Sequence, residues 1–143
     1  MVTSIVPKLQ PPSPEQRFRV RVYYEDTDCM GVVYHANYLR FLERARTEMI
    51  TATGTSVADY AQKGMMFPLY NVNATFKSPA RLCDDLEIIT SAEQTSPFRL
   101  RFTQRIEHVQ DRRLIIQAVT EVVCTDLKGK LREFPPLGFE RLT

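Results

Sequence analysis

Two aspartates and a histidine lie close together between Tyr23 and Tyr38, in the run YYEDTDCMGVVYHANY. Asp28 and His35 in this run are seven positions apart. A carboxylate can act as a general base or as a nucleophile toward an acyl carbonyl, and an imidazole can orient or transfer a proton. We therefore predict that this segment is an active site and that its chemistry is acyl transfer.

The elements on either side place this segment between a strand and a helix. Upstream, the apolar residues Phe18, Val20 and Val22 alternate with arginines, which is the spacing of a strand with one buried face. Downstream, apolar residues recur at helical spacing over about residues 37–53, and Gly54 stands where such a helix would end. The chemistry is thus predicted at a junction between a strand and a helix.

The start of that helix would supply the partner for a carbonyl oxygen. The first turn of a helix leaves backbone N–H groups without partners and carries partial positive charge, so it can hold an oxyanion. Gly31 would let the backbone approach a ligand closely, and Asn37 is a candidate N-cap. Asp28 would then face a carbonyl whose oxygen points at these N–H groups, with His35 just before the cap.

Two longer runs carry a family resemblance. The run RVYYEDTDCMGVVYHANYLRFLERAR, residues 21–46, resembles the signature of the 4-hydroxybenzoyl-CoA thioesterase family of hotdog-fold proteins, in particular its branch of Tol–Pal-associated acyl-CoA thioesterases. The run ATFKSPARLCDDLEI, residues 74–88, resembles the same branch. The similarity therefore covers most of the chain after residue 17, and it implies that an antiparallel sheet of five to six strands wraps the long helix.

The resemblance also implies roles for individual residues. Asp28 takes the position of the catalytic carboxylate, and His35 and Tyr24 fall at other positions assigned to the active site. The backbone N–H of His35 falls where the family polarises the thioester carbonyl. The implied substrate is an acyl-CoA, or an acyl-carrier-protein thioester, hydrolysed with Asp28 as nucleophile or general base.

The phosphates of CoA need cations to bind them. Four basic residues are candidates for substrate binding: Lys77, Arg81, Arg99 and Arg101. Each of them is equally consistent with the solvated face of a strand. Relatives often place basic residues in the turn that here reads QTSP, residues 94–97, so the sequence departs from the family pattern at this point.

Other interpretations fit parts of the same segment. Asp is a common turn former next to glycine, so Asp28 alone does not establish a site. Cys29 lies near His35 in the sequence, so a Cys–His nucleophile is an alternative. It requires the thiolate to lie within hydrogen-bond reach of the imidazole. Hotdog enoyl-CoA hydratases typically show Asp and His five residues apart. A non-catalytic acyl-thioester-binding or scaffold protein would bind acyl-CoA without releasing thiol.

The composition indicates one domain. The chain has 143 residues, of which 43% are hydrophobic and 25% charged, which is enough for a single core. Residues 1–16 carry several prolines without periodicity and are predicted to be a flexible tail before a single domain of residues 17–143. One long helix followed by strands with short turns predicts an α+β fold with an antiparallel sheet.

Charge and cysteine content limit the classes of ligand and the cellular compartment that we expect. The net charge of +2 is too small for a nucleic-acid-binding surface. No apolar run reaches membrane-spanning length, and the N-terminus lacks the pattern of a signal peptide, so we expect a cytoplasmic protein. Three widely separated cysteines are typical of reduced thiols, and neither a metal nor a cofactor is expected. By the resemblance, we expect a homodimer or a homotetramer with the site at the dimer interface.

Overall fold

The computed structural model describes residues 9–143. In this part of the chain the strands are β1 (Gln16–Arg21), β2 (Leu69–Phe76), β3 (Asp85–Ser96), β4 (Arg99–His108), β5 (Leu114–Thr125) and β6 (Leu131–Arg132). The helices are α1 (Asn37–Ala52) and α2 (Val57–Gln62). The strands form one antiparallel sheet in the order β1-β3-β4-β5-β2, with β6 paired to the end of β5. The predicted α+β fold with an antiparallel sheet of five to six strands is confirmed.

Strand β4 shows how the sequence builds the two faces of the sheet. Leu100, Phe102 and Ile106 are buried on the inner face, whereas Arg99 and Arg101 point to the outer face. A shift of the strand by one residue would exchange the two sets, and burial of apolar surface contributes about 25 cal/mol per Å². The alternation therefore fixes both the register of β4 and the face that receives the helix.

Helix α1 lies against this inner face. Near its start, Tyr38, Phe41 and Leu42 are buried in a cluster with Ile88 and Ile106 of the sheet. Its last turns contribute to a second cluster, which extends over β4, β5 and the C-terminal segment. The sheet thus wraps the long helix, and the start of α1 lies near the end of β1.

The first residues of α1 differ from the prediction. The helix begins at Asn37, but the cap position is occupied by Ala36, with helical angles of φ −68° and ψ −22° and no side-chain cap. The prediction that Asn37 is the N-cap is wrong. Its amide instead donates a hydrogen bond to a buried carboxylate, that of Asp26.

The segment before β1 makes hydrogen bonds to the rest of the fold. Gln10 Oε1 accepts from the N–H of Leu137 at 2.7 Å, and the N–H of Ser13 donates to the carbonyl of Ala92 at 2.8 Å. This segment belongs to the predicted tail, residues 1–16, whose beginning lies outside the described residues. The flexibility of the tail stays a prediction.

No helix within residues 9–143 has both the length and the apolar character that a membrane span requires.

Candidate active site

The segment between β1 and α1 folds into a short hairpin, which we call the loop hairpin (residues 27–33). Thr27 and Val33 form an antiparallel bridge at its base. The N–H of Gly31 donates to the carbonyl of Asp28 at 3.0 Å and closes the turn at its tip. Asp28 therefore stands at the beginning of this turn, and His35 follows the returning strand.

Gly31 is required by the conformation of this turn. Its φ of +76° lies in the left-handed region, which residues with a side chain rarely adopt. A Cβ atom at this position would meet nothing within 4 Å. Backbone conformation therefore explains the glycine within one chain, and the close approach of a ligand stays a prediction.

The Asp28 side chain is partly buried and takes part in its own turn. Its Oδ1 accepts a hydrogen bond from the N–H of Met30 at 2.9 Å, which is the turn-forming role of aspartate. Its Oδ2 accepts no hydrogen bond from any other residue between 9 and 143. One carboxylate oxygen is thus held in place and the other is free to act as a base or a nucleophile.

The backbone at the start of α1 offers a free donor. The N–H of Asn37 donates to the carbonyl of Tyr34 at 2.8 Å, and the N–H of Leu39 donates to that of Ala36 at 3.2 Å. Within the described chain, the N–H of His35 has no acceptor, and the residue is exposed. A free N–H at the positive end of a helix can stabilise negative charge on a carbonyl oxygen.

A cavity of about 330 Å³ opens beside the start of α1, and we call it the helix-start cavity. Its lining residues are Val33, His35, Tyr38, Phe76, Lys77, Ser78 and Pro79. The lining is mostly apolar, with one imidazole and one ammonium group. Small-molecule sites are commonly of this kind, with apolar walls and a few polar groups that fix orientation.

The Tyr38 side chain lines this cavity, and its hydroxyl lies within electrostatic range of Asp28. Burial raises the pKa of Tyr38, and the carboxylates of Asp84 and Asp28 raise it further, against the opposing effects of the Ala80 N–H and of Arg113. The Ala80 N–H donates to the Tyr38 oxygen at 3.1 Å. The phenol is therefore neutral near pH 7, and the charge of Asp28 lies close enough to act on it.

Two of the four predicted phosphate-binding cations lie near the loop hairpin and the cavity. Lys77 lines the helix-start cavity together with His35. Arg81 forms a bridge with Val32, a residue of the loop hairpin. These two cations remain candidates for substrate binding.

The other two cations lie elsewhere in the same chain. Arg101 makes an ion pair with Glu121 at 3.3 Å, and Arg99 lies 3.8 Å from Glu121 and 4.4 Å from the ring centre of Tyr70. Strand β2 runs from Tyr70 toward Phe76, which lines the cavity. At about 3.3 Å per residue this separation is about 20 Å. A single chain therefore does not bring Arg99 or Arg101 to the cavity.

Two further predictions concern exposed residues of the loop. Tyr24 is 83% exposed and begins a short 3-10 turn after β1, and its catalytic role stays a prediction. Cys29 is exposed at the tip of the loop hairpin. Its thiol makes no hydrogen bond to His35 among the described residues, so the geometry gives no support to a Cys–His nucleophile.

Sequence reasoning missed Tyr38 and Phe76 as residues of the cavity. Tyr38 stands at the predicted start of the helix, three positions after His35, and this nearness in the sequence was a usable signal. Phe76 had none, because its place beside α1 depends on the order of the strands in the sheet.

Comparison with known proteins identifies the class to which this fold and site belong. A sequence profile of the thioesterase-like superfamily matches residues 22–138, which include the loop hairpin, α1 and strands β2 to β6. The chain belongs to this thioesterase-like superfamily. The family and the hotdog fold that the sequence resemblance implied are confirmed.

Individual relatives match over most of their length. The acyl-CoA thioester hydrolase YbgC of Escherichia coli O157:H7 is 44% identical over 120 residues, which are 83% of this chain and 89% of the relative. The acyl-CoA thioesterase YbgC of Haemophilus influenzae is 36% identical over 125 residues, 87% of this chain and 88% of the relative. The crystal structure of a 1,4-dihydroxy-2-naphthoyl-CoA thioesterase from Synechocystis has a TM-score of 0.82 at 25% identity and covers 87% of this chain and 92% of that one.

Proposed function

We propose that this protein hydrolyses an acyl-CoA to the free acid and CoA, in the cytoplasm. One observation carries the proposal: among the described residues, an oxygen of Asp28 and the N–H of His35 are both without a hydrogen-bond partner on one loop, and His35 lines a mostly apolar cavity. The chain is also 44% identical to an acyl-CoA thioester hydrolase. An acyl-carrier-protein thioester is the second substrate to be tested.

In the proposed reaction the carbonyl oxygen of the thioester accepts a hydrogen bond from the His35 N–H. The positive end of α1 stabilises the negative charge that develops on this oxygen. Asp28 either attacks the carbonyl carbon, giving a mixed anhydride that water then hydrolyses, or removes a proton from the attacking water. In both routes the C–S bond breaks, sulfur leaves as a thiolate that is then protonated, and the acyl group leaves as a carboxylate.

The other candidate residues are assigned by position. The His35 imidazole and the Tyr24 hydroxyl orient the thioester or protonate the leaving thiolate. The helix-start cavity receives the acyl group. Lys77 and Arg81 bind the phosphates of CoA through charge-assisted hydrogen bonds.

A second copy of the chain completes the proposed site. Strand β2 pairs with β5 on one side and forms an edge of the sheet, where Leu69, Tyr70 and Phe76 are exposed. An edge of this kind is a template for pairing with another strand. Antiparallel pairing of two β2 edges about their middle places Tyr70 and Arg99 of the second copy beside Phe76 of the first. The association of two such dimers gives the predicted homotetramer.

A thiol-release assay tests the reaction. The panel contains aliphatic and aromatic acyl-CoAs and one acyl-carrier-protein thioester, and the Asp28→Asn variant is measured beside the wild-type protein. We expect release of free thiol by the wild-type protein and its loss in the variant. Binding of acyl-CoA without release of thiol would establish the non-catalytic alternative.

A complementation experiment tests the pairing of β2 edges. Asp28→Asn and Arg99→Ala each impair the sites of their own homodimer. In a mixed dimer, the Arg99→Ala chain supplies an intact Asp28 to the site that the other chain's Arg99 completes. We expect the mixture, after exchange of subunits, to be more active than either parent. Activity equal to the average of the parents would contradict this arrangement.

A further inference from the structure

Asp26 joins three parts of the active-site segment. Its side chain is buried, and both of its oxygens are used. Oδ2 accepts from the N–H of Tyr23 at 2.8 Å, and Oδ1 accepts from Nδ2 of Asn37 at 2.9 Å. Its carbonyl accepts from the N–H of Tyr34 at 2.9 Å. One residue therefore connects the end of β1, the segment after the loop hairpin and the first residue of α1.

The side-chain contact between Asp26 and Asn37 closes the loop that carries the reactive groups. Asp28 follows Asp26 by two residues, and His35 precedes Asn37 by two residues. The loop hairpin extends away from this contact with its tip exposed. The contact is thus the base from which the Asp28 carboxylate and the His35 N–H are held.

The contact does not supply a side-chain cap for α1. Asparagine is a preferred N-cap residue, yet Asn37 lies inside the helix and Ala36 occupies the cap without a side-chain hydrogen bond. Capping of α1 therefore does not explain why an asparagine occupies this position.

We propose that Asp26 and Asn37 are positioning residues for thioester hydrolysis. Their buried contact fixes the distance between the Asp28 carboxylate and the His35 N–H. This inference rests on the proposed function, because it assigns to the contact the geometry that the reaction needs. In well-oriented catalysis, a misplacement of about 1 Å can reduce the rate about a hundredfold.

Exchange of the two side chains separates positioning from stability. In Asn37→Asp, two carboxylates face each other in a buried place, and the donor of the contact is lost. In the double variant Asp26→Asn, Asn37→Asp, the amide of residue 26 donates to the carboxylate of residue 37, and its carbonyl still accepts from Tyr23. An acid in the first turn of a helix is favourable in itself. If the two residues served helix stability alone, a folded Asn37→Asp variant would therefore keep the kcat of the wild-type protein.

The experiment measures kcat and KM of the wild-type protein, Asn37→Asp, the double variant, and Asp26→Asn, with folding checked by thermal unfolding. We expect Asn37→Asp to lower kcat about a hundredfold with little change in KM, and the double variant to recover most of this loss. In Asp26→Asn, rotation of the Asn37 amide preserves both hydrogen bonds, so this variant should stay close to wild type. Wild-type kcat in Asn37→Asp, or a double variant as slow as Asn37→Asp, would overturn the proposal.

A second variant covers the case in which Asn37→Asp does not fold. Asn37→Ala removes the donor without adding a charge, and we expect a lower kcat and faster hydrogen exchange of the Tyr23 and Tyr34 amides. A folded Asn37→Ala with wild-type kcat and unchanged exchange would overturn the proposal.

Asp28→Asn is included to test the proposed function separately. If it retains wild-type turnover, the role of Asp28 fails, and the amide-exchange comparison decides whether the contact holds the loop.

Discussion

Two concave regions of this protein differ in size and in chemistry. The larger, of about 830 Å³, lies on the outer face of the sheet and is lined by polar, charged and some apolar side chains of strands β2 to β5, together with Glu15. We call it the outer-face depression. The smaller is the helix-start cavity of about 330 Å³, whose walls are mostly apolar.

The charged groups of the two regions differ in whether they have an ion-pair partner. In the outer-face depression, Arg101 is paired with Glu121, and Arg105 is paired with Glu15 at 3.0 Å. In the helix-start cavity, the Lys77 ammonium has no acidic partner among the described residues. A paired charge is already stabilised, whereas a free one can bind a ligand. The smaller region is thus the better candidate site, although the outer-face depression has the larger volume.

The largest expected effect is at the loop beside the smaller cavity. Asp28→Asn should lower kcat by about a thousandfold or more, because an amide is neither a base nor a competent nucleophile. The thiol-release assay measures this loss, and the melting temperature should stay close to that of the wild-type protein. Glu25→Gln is the matched control, since Glu25 is an exposed acid of the same loop. Equal losses in both variants would remove the special role of Asp28.

A smaller effect is expected at the cation of the cavity. Lys77→Ala should raise KM for acyl-CoA about tenfold, the effect of losing one charge-assisted hydrogen bond to a phosphate. Arg101→Ala is the control from the outer-face depression, and we expect its KM to be unchanged because Glu121 engages its charge. A rise in KM for Arg101→Ala alone would support its predicted role in substrate binding and reverse the comparison.

A stability effect without an activity effect is expected beside the outer-face depression. The nearly buried carboxylate of Glu87 binds Arg17 at 2.6 Å, Arg112 at 2.7 Å and Arg19 at 3.4 Å. Burial raises its pKa, but the three arginines lower it more, and the pKa lies below its usual value. The ionised carboxylate therefore stabilises the folded state above about pH 4.5, and this contribution is lost as the pH falls through the lowered pKa.

Glu87→Gln tests this contribution. At pH 7 the variant should lose about 1 kcal/mol of unfolding free energy, since the arginines are partly exposed and screened by solvent. Urea unfolding at several pH values should show the difference from wild type shrinking below the usual pKa of glutamate. A difference that stays constant down to acid pH would contradict the assignment to charge.

The smallest effect is expected inside the depression itself. Thr103 is exposed there, and Thr103→Ala should change the unfolding free energy by less than about 0.5 kcal/mol and leave kcat unchanged. Urea unfolding and the thiol-release assay measure both. Slower hydrolysis by this variant would show that the larger region also serves the reaction.

The regular elements could be predicted from the sequence because one local pattern determines each of them. The alternation in β4 and the helical spacing of α1 arise from burial of one face, and the structure confirms both. The N-cap was predicted wrongly because the Asn37 amide donates to Asp26, eleven residues away, across a buried contact. A local pattern contains no information about such a partner.

Only part of the candidate site could be predicted, again because local patterns do not show which distant residues come together. The sequence predicted that Asp28 and His35 lie on one loop before a helix, and in the structure both residues lie between β1 and α1. It did not distinguish Lys77, which lines the cavity, from Arg99 and Arg101, which lie about 20 Å away along the strands. Alternation along a strand predicts the face on which a residue lies, but not its distance from a site formed by other elements.

Two aromatic residues that line the helix-start cavity differ in how far they can be changed. The Tyr38 oxygen accepts from the N–H of Ala80, whose carbonyl accepts from the N–H of Val33, so enlarging any of these three residues would disturb the loop hairpin. Beside it Phe76 is half exposed, and its ring centre lies 5.9 Å from that of Tyr38. In the proposed function this cavity receives the acyl group, so redesign for bulkier or slimmer acyl chains should begin at Phe76, whose side chain takes no part in the hydrogen bonds that hold the loop hairpin.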